Sequence, residues 1–260
     1  MQVLETNGLR VEYGRQGRGR ALLLLHSLLT DLTVFDGMAS ELAATRSVVR
    51  INLPGFGASA PVLLESVAEH ADHVARTMDA LGIAPDTDVF GNGFGGFVAV
   101  ELAIRHGARF RRLVVADVLA AFPEPARIPF RVMAEKVRSG GMAAVLDTAI
   151  GRMFPAAFGA AHPQLIAARR SALAAVDPAC FARACLALAG LDLGPRLGAI
   201  RNPALIACGA LDQTTPPALA RELARGISGA RYEEIPGSGH CPMLEQPKAL
   251  LRLVGDFTKD

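Results

Sequence analysis

The chain has 260 residues, 51% hydrophobic and 20% charged, enough apolar material to bury the core of one α/β domain carrying an insertion. Its formal net charge of +2, with arginines scattered along the chain, argues against nucleic acid or an acidic membrane surface as a partner. No run approaches the roughly 20 uninterrupted apolar residues of a membrane span, and Met1-Gln2-Val3-Leu4-Glu5 has no basic lead into an apolar segment, so a cytoplasmic location and small-molecule partners are expected, with a homodimer left open.

Residues 3–6 and 9–13 flank Asn7-Gly8, and Leu9, Val11 and Tyr13 alternate with Arg10 and Glu12, which predicts an antiparallel hairpin. From residue 21 the apolar runs no longer alternate. Residues 21–25, 48–51, 89–90, 113–116 and 204–208 read as parallel strands covered on both faces. Between them lie helical segments at 62–81 and 94–106, the latter stopped by Gly107 after Arg105 and His106. This rhythm predicts a doubly wound, mostly parallel sheet with its site at the carboxyl ends of the strands. Residues 122–191 interrupt it: alanine and arginine are abundant, Pro123, Pro125, Pro129, Pro155 and Pro163 punctuate, and no strand is convincing. The segment reads as an inserted helical cap, leaving 1–121 and 192–260 as the core domain.

The run Asp88-Val89-Phe90-Gly91-Asn92-Gly93-Phe94-Gly95-Gly96 passes from strand through a glycine-flanked turn into a helix. That is the setting of a Gly-x-Ser-x-Gly nucleophile elbow, but Gly93 stands at the serine's place. Downstream, Gly209-Ala210-Leu211-Asp212 and Gly237-Ser238-Gly239-His240 supply an acid and then a histidine, the order of a nucleophile–acid–histidine triad. The same glycines also spell Gly-x-Gly-x-x-Gly with Asp117 downstream, a dinucleotide fingerprint. Two parallel strands and the His26 loop precede that run, however, whereas such a fingerprint opens its domain. His70 and His73 lie three apart on a predicted helix, where a solvated face is expected in place of a metal site. Cys180, Cys185, Cys208 and Cys241 lack paired ligand spacing and read as reduced structural thiols, with Cys241 no substitute nucleophile. No metal or cofactor is expected.

His26-Ser27-Leu28 with Thr30-Asp31-Leu32, the elbow, the cap segments Arg131-Val132-Met133 and Arg152-Met153-Phe154-Pro155, and Asp212-Gln213-Thr214-Thr215 together resemble one family. It is the α/β-hydrolase family, in the branch of 3-oxoadipate enol-lactonases and meta-cleavage C–C hydrolases. The pattern departs at Leu29, where that branch carries glycine, at Met153 in place of a tryptophan, and at Asn52, before Leu53-Pro54-Gly55-Phe56-Gly57, where an aspartate is usual. The resemblance implies an α/β-hydrolase fold. It also implies that His240 takes the nucleophile's proton, Asp212 holds the imidazole, and the Leu28 and Phe94 amides form an oxyanion hole. His26, Ser27, Arg131 and Arg152 would contact a small carboxylate-bearing ester, enol-lactone or ring-cleavage product. Three readings of Gly93 stay open: a change introduced to trap a substrate, a ligand-binding relative without catalysis, or a His240–Asp212 pair acting directly as a general base.

Overall fold

A computed structural model describes residues 1–6 and 8–259. Strands β1 (Gln2–Thr6) and β2 (Leu9–Gln16) pair antiparallel with Thr6 opposite Leu9; Asn7 of the predicted turn lies outside the described residues. Six more strands follow: β3 (Ala21–Leu25), β4 (Ser47–Ile51), β5 (Asp88–Asn92), β6 (Arg112–Ala116), β7 (Ala204–Gly209) and β8 (Arg231–Ile235). They form one sheet in the order β1-β2-β4-β3-β5-β6-β7-β8, parallel from β4 through β8 and antiparallel between β2 and β4. Every residue of β3, β5 and β7 is buried, as strands covered on both faces require.

Helices α1 (Asp36–Leu42), α2 (Val67–Ala80) and α3 (Phe94–His106) lie in the first half of the sheet's connections. Between β6 and β7 come five helices and no strand: α4 (Glu124–Gly140), α5 (Leu146–Met153), α6 (Ala156–Ala161), α7 (Pro163–Ala174) and α8 (Pro178–Ala189). An isolated antiparallel bridge joins Ala121 to Asp192, and Leu193 N–H donates to the Ala120 carbonyl at 2.9 Å, so both ends of this helical segment leave the sheet at one neck. Helices α9 (Pro217–Gly226), α10 (Pro242–Glu245) and α11 (Pro247–Thr258) complete the chain. Among the described residues no single helix is long and apolar enough to cross a membrane.

Two sequence expectations change. The helix predicted over 62–81 begins at Val67, because the Ser66 hydroxyl accepts from Glu69 N–H at 3.2 Å and caps it there. The polar β8 segment, Arg-Tyr-Glu-Glu-Ile, is a strand that no apolar run announced; it is a sheet edge in which only Ile235 is fully buried.

Candidate active site

The sheet delivers three loops to the carboxyl ends of β3, β5 and β7. At the end of β5, Gly93 adopts φ +50° and ψ −119°, a backbone conformation that side chains of L-residues rarely tolerate. The turn is tied to its neighbours, with Gly93 N–H donating to Ala116 O at 3.0 Å and Gly95 N–H to His26 O at 2.9 Å. A Cβ at Gly95 would run into the Leu25 and His26 carbonyls, so only glycine lets α3 sit this close to β3. Position 93 faces the chemistry: a Cβ there would lie 2.9 Å from His240 Nε2 and would collide with Ser27 Oγ.

Asp212 follows β7 and is buried. Its Oδ2 receives His240 Nδ1–H at 2.8 Å and the Thr215 hydroxyl, while Oδ1 accepts the amides of Thr214 at 2.7 Å and Thr215 at 3.1 Å. Burial pushes this carboxyl up, but the His240 charge and the hydrogen bonds from His240 and Thr215 overrule it and hold the group well below the usual carboxylate range. For His240, burial opposes the imidazolium and the facing Asp212 carboxylate outweighs it, raising the pKa above its ordinary 6.5. With Nδ1–H committed to a carboxylate, Nε2 of the neutral ring is the basic atom, and it points at the Gly93 turn.

Leu28 N–H and Phe94 N–H border the same cavity, and neither has an acceptor among the described residues. Phe94 is the first residue of α3, so its amide is one of the helix's orphan donors. The inner cavity, beneath Phe122, Phe130 and Met133, has a free volume of about 30 Å³, room for a single water. It adjoins a solvent-open cleft of about 800 Å³ between residues 151–156 and 210–214, and Arg152 and Thr214 line both.

Of the remaining predicted residues, Ser27 and Arg152 line the inner cavity and two do not. His26, expected beside substrate, is instead spent on its own loop: Nδ1–H donates to Ser27 O at 2.8 Å and Nε2 accepts Leu53 N–H at 3.1 Å. Burial lowers its pKa to about 4, so it is a neutral strut. Arg131, the other correction, sits half-exposed on α4 and pairs with Glu124 at 2.5 Å, because its position in the second turn of that helix faces solvent. The Arg152 guanidinium lies over the Phe130 ring, 5.6 Å from its centroid, and has no carboxylate partner among the described residues. Asn52 is also explained: its Nδ2–H donates to Glu12 at 2.7 Å and its Oδ1 accepts Leu32 N–H at 2.8 Å, whereas an aspartate would set two carboxylates in contact.

Sequence reasoning gave no role to Asn92, whose side-chain amide donates to Asp117 Oδ2 at 2.8 Å and to His240 O at 3.2 Å, nor to Thr214 and Thr215 within the segment that carries the resemblance, although Asp-x-Thr-Thr is a readable Asx-turn signal. It also misplaced His70 and His73. Both are buried, His70 packing edge-on against Phe94 with ring centroids 4.9 Å apart, because His70 shares the Val67, Ala71 and Val74 face that meets α3. Cys241 is fully buried and burial raises its thiol pKa well above 9, leaving no thiolate to attack.

Asp117, Asp212 and His240 cluster closely enough to suggest a cation site, but Asp212 and His240 spend their facing atoms on each other. Asp117 is wholly buried, with Gly209 N–H on Oδ1 and Asn92 on Oδ2, both at 2.8 Å. A ribose cannot reach it. Calorimetric titration with NAD(H) and NADP(H) is therefore expected to give no saturable heat below millimolar concentration; submillimolar binding lost in Asp117→Asn would restore the dinucleotide reading.

Comparison with known proteins agrees with this fold. The alpha/beta hydrolase family matches residues 22–253. Polyketide synthase ThaQ of Burkholderia thailandensis is 30% identical over 93% of this chain, which spans only 12% of that protein. The 3-oxoadipate enol-lactonase 2 of Acinetobacter baylyi is 29% identical over 90% of this chain and 86% of its own. The crystal structure of the enol-lactonase from Burkholderia xenovorans superposes with a TM-score of 0.92 at 29% identity over 100% of both chains. The chain belongs to the alpha/beta hydrolase family.

Proposed function

We propose that this hydrolase-family chain acts on a small carboxylate-bearing ester, enol-lactone or C–C ring-cleavage product, with Gly93 at the nucleophile position and His240–Asp212 as general base for an oxygen other than one on residue 93. The observation that carries this reading is the free His240 Nε2, aimed at the Cβ position of residue 93 while Asp212 fixes the opposite side of the ring. Charge developing on a substrate carbonyl oxygen would be received by the Leu28 and Phe94 amides, whose placement does not depend on a side chain at 93. Helices α4 to α8 serve as a cap: Phe130 and Met133 close over the inner cavity, and Arg169 ties the segment to the β3 loop through Asp31 at 3.1 Å and Thr33 at 2.8 Å.

Scale decides where substrate sits. An inner cavity of about 30 Å³ admits the reacting carbonyl at most, so the body of the substrate occupies the outer cleft. Arg152, at the junction, is the cation available to a substrate carboxylate. Burial lowers its pKa, yet a guanidinium remains charged at any working pH. Arg152→Met is expected to raise KM for carboxylate-bearing esters about tenfold to a hundredfold, the loss of one charged hydrogen-bonded contact, and to leave neutral esters of the same size within about twofold. Equal effects on both ester classes would remove carboxylate recognition from the proposal. The absent hydroxyl at Gly93 favours one second reading, a ligand-binding protein without turnover. Its mark would be saturable binding of such acids without hydrolysis, unchanged by His240→Ala.

A further inference from the structure

Nothing on residue 93 can attack a carbonyl, yet the cavity contains a hydroxyl. The Ser27 Oγ crowds the point where a side chain at 93 would begin, a point that is also 2.9 Å from His240 Nε2. Ser27 is 3% exposed and lines the inner cavity, but among the described residues its hydroxyl has no hydrogen-bond partner. The hydroxyl therefore stands open to the cavity that His240 also lines. Its backbone is held firmly: the Ser27 carbonyl accepts from His26 Nδ1–H at 2.8 Å and from the amide and hydroxyl of Thr30 at 3.2 Å each. The freedom left to the residue is rotation about χ1, which swings Oγ within the space beside the imidazole.

We propose that Ser27 is the attacking residue of this chain, its hydroxyl occupying the place left beside His240 by the glycine at 93. The proposal rests on the hydrolase reading above and names the oxygen which that reading leaves unassigned. In the acylation step the Ser27 Oγ bonds to the carbonyl carbon as its proton passes to His240 Nε2. The bond to the leaving oxygen then breaks and that oxygen takes the proton from His240. Water reverses the sequence: His240 removes its proton, the new oxygen bonds to the acyl carbon, and Ser27 Oγ leaves with the proton restored. The oxyanion donors suit this attack, since Leu28 follows Ser27 as Phe94 follows residue 93, and both amides are free.

A fluorophosphonate probe, which transfers its phosphonyl group to an activated serine with release of fluoride, tests the assignment on the unmodified chain, on Ser27→Ala, on His240→Ala and on Gly93→Ser. Intact mass and peptide mapping report the site, and thermal melts report folding. One phosphonyl group is expected on the unmodified chain, in the peptide carrying Ser27, absent from folded Ser27→Ala and formed about 10²-fold more slowly in His240→Ala. Peptide mapping of the unmodified chain keeps the test decisive even where a variant does not fold. Esterase turnover by the unmodified chain that survives Ser27→Ala but not His240→Ala would overturn the role of Ser27 and leave the general-base reading standing, with water as the nucleophile. Labelling of Gly93→Ser at position 93 alone, with the unmodified chain unlabelled, would likewise overturn it. Failure of every variant to label or turn over would sink both readings.

Discussion

Gly93→Ser is expected to raise turnover of small activated esters and enol-lactones by about 10²–10⁴-fold over the unmodified chain, the range that well-aligned general-base assistance contributes, because an oxygen carried on residue 93 starts beside His240 Nε2 whereas the Ser27 hydroxyl must rotate to meet it. The remaining parts are already arranged: Nε2 lies 2.9 Å from the Cβ position and Nδ1 is 2.8 Å from Asp212. Two local adjustments are required. The Ser27 hydroxyl must rotate away, an inexpensive move for the free end of a side chain, while the imidazole and the Ser27 Cβ, 2.9 and 3.0 Å from the new Cβ, must each give slightly. The new side chain also inherits φ +50°, a strain of about 1–3 kcal/mol. Activity should therefore rise while stability falls, with Tm several degrees lower. A serine variant that gains no activity at unchanged Tm would mean that position 93 is not directed at the base.

The second large effect is on Asp212. In the Gly93→Ser background, Asp212→Asn is expected to lower kcat by about 10⁴-fold, since an amide cannot stabilise the imidazolium and admits the wrong tautomer. The pH profile separates this from a loss of fold. His240 must be neutral to act, and Asp212 raises its pKa, so kcat/KM should climb with pH and reach half its plateau above 6.5. Without the Asp212 carboxylate, burial and the Arg152 charge act against the remaining pull of Asp117, burial being the largest influence, and the half-rise in Asp212→Asn should fall below that of the parent. The sign for stability is the opposite: the pair's contribution is complete below the unfolded histidine pKa of about 6.5 and is lost as pH rises through the raised folded value. A profile with its midpoint unmoved by Asp212→Asn would show that another group controls the rate.

Much of this was legible before any coordinates. The non-alternating strands β3, β5 and β7 declared a sheet covered on both faces, and strand-end loops placed Gly93, Asp212 and His240 on one edge. The limits were physical. β8 is an edge whose Arg-Tyr-Glu-Glu sequence follows solvent exposure more than burial. Arg131 and Arg152 both fall on helices of the inserted segment, and only packing of α4 and α5 decides that Arg152 meets the cavity while Arg131 meets Glu124. His26 carries a motif that suggests contact with substrate, yet both its nitrogens are consumed within the loop. The crowding of Ser27 against position 93 has no sequence signal at all, because it joins loops 66 residues apart through side-chain rotamers.

The central claim is that His240, Asp212 and the Leu28 and Phe94 amides form a working acyl-transfer site. Stopped-flow mixing of Gly93→Ser with a small activated aryl ester tests it most directly. The account predicts a burst of aryl alcohol stoichiometric with enzyme, an acyl mass on the peptide containing residue 93, and loss of both on His240→Ala. A folded serine variant that gives neither a burst nor an acyl adduct with any such ester would contradict it.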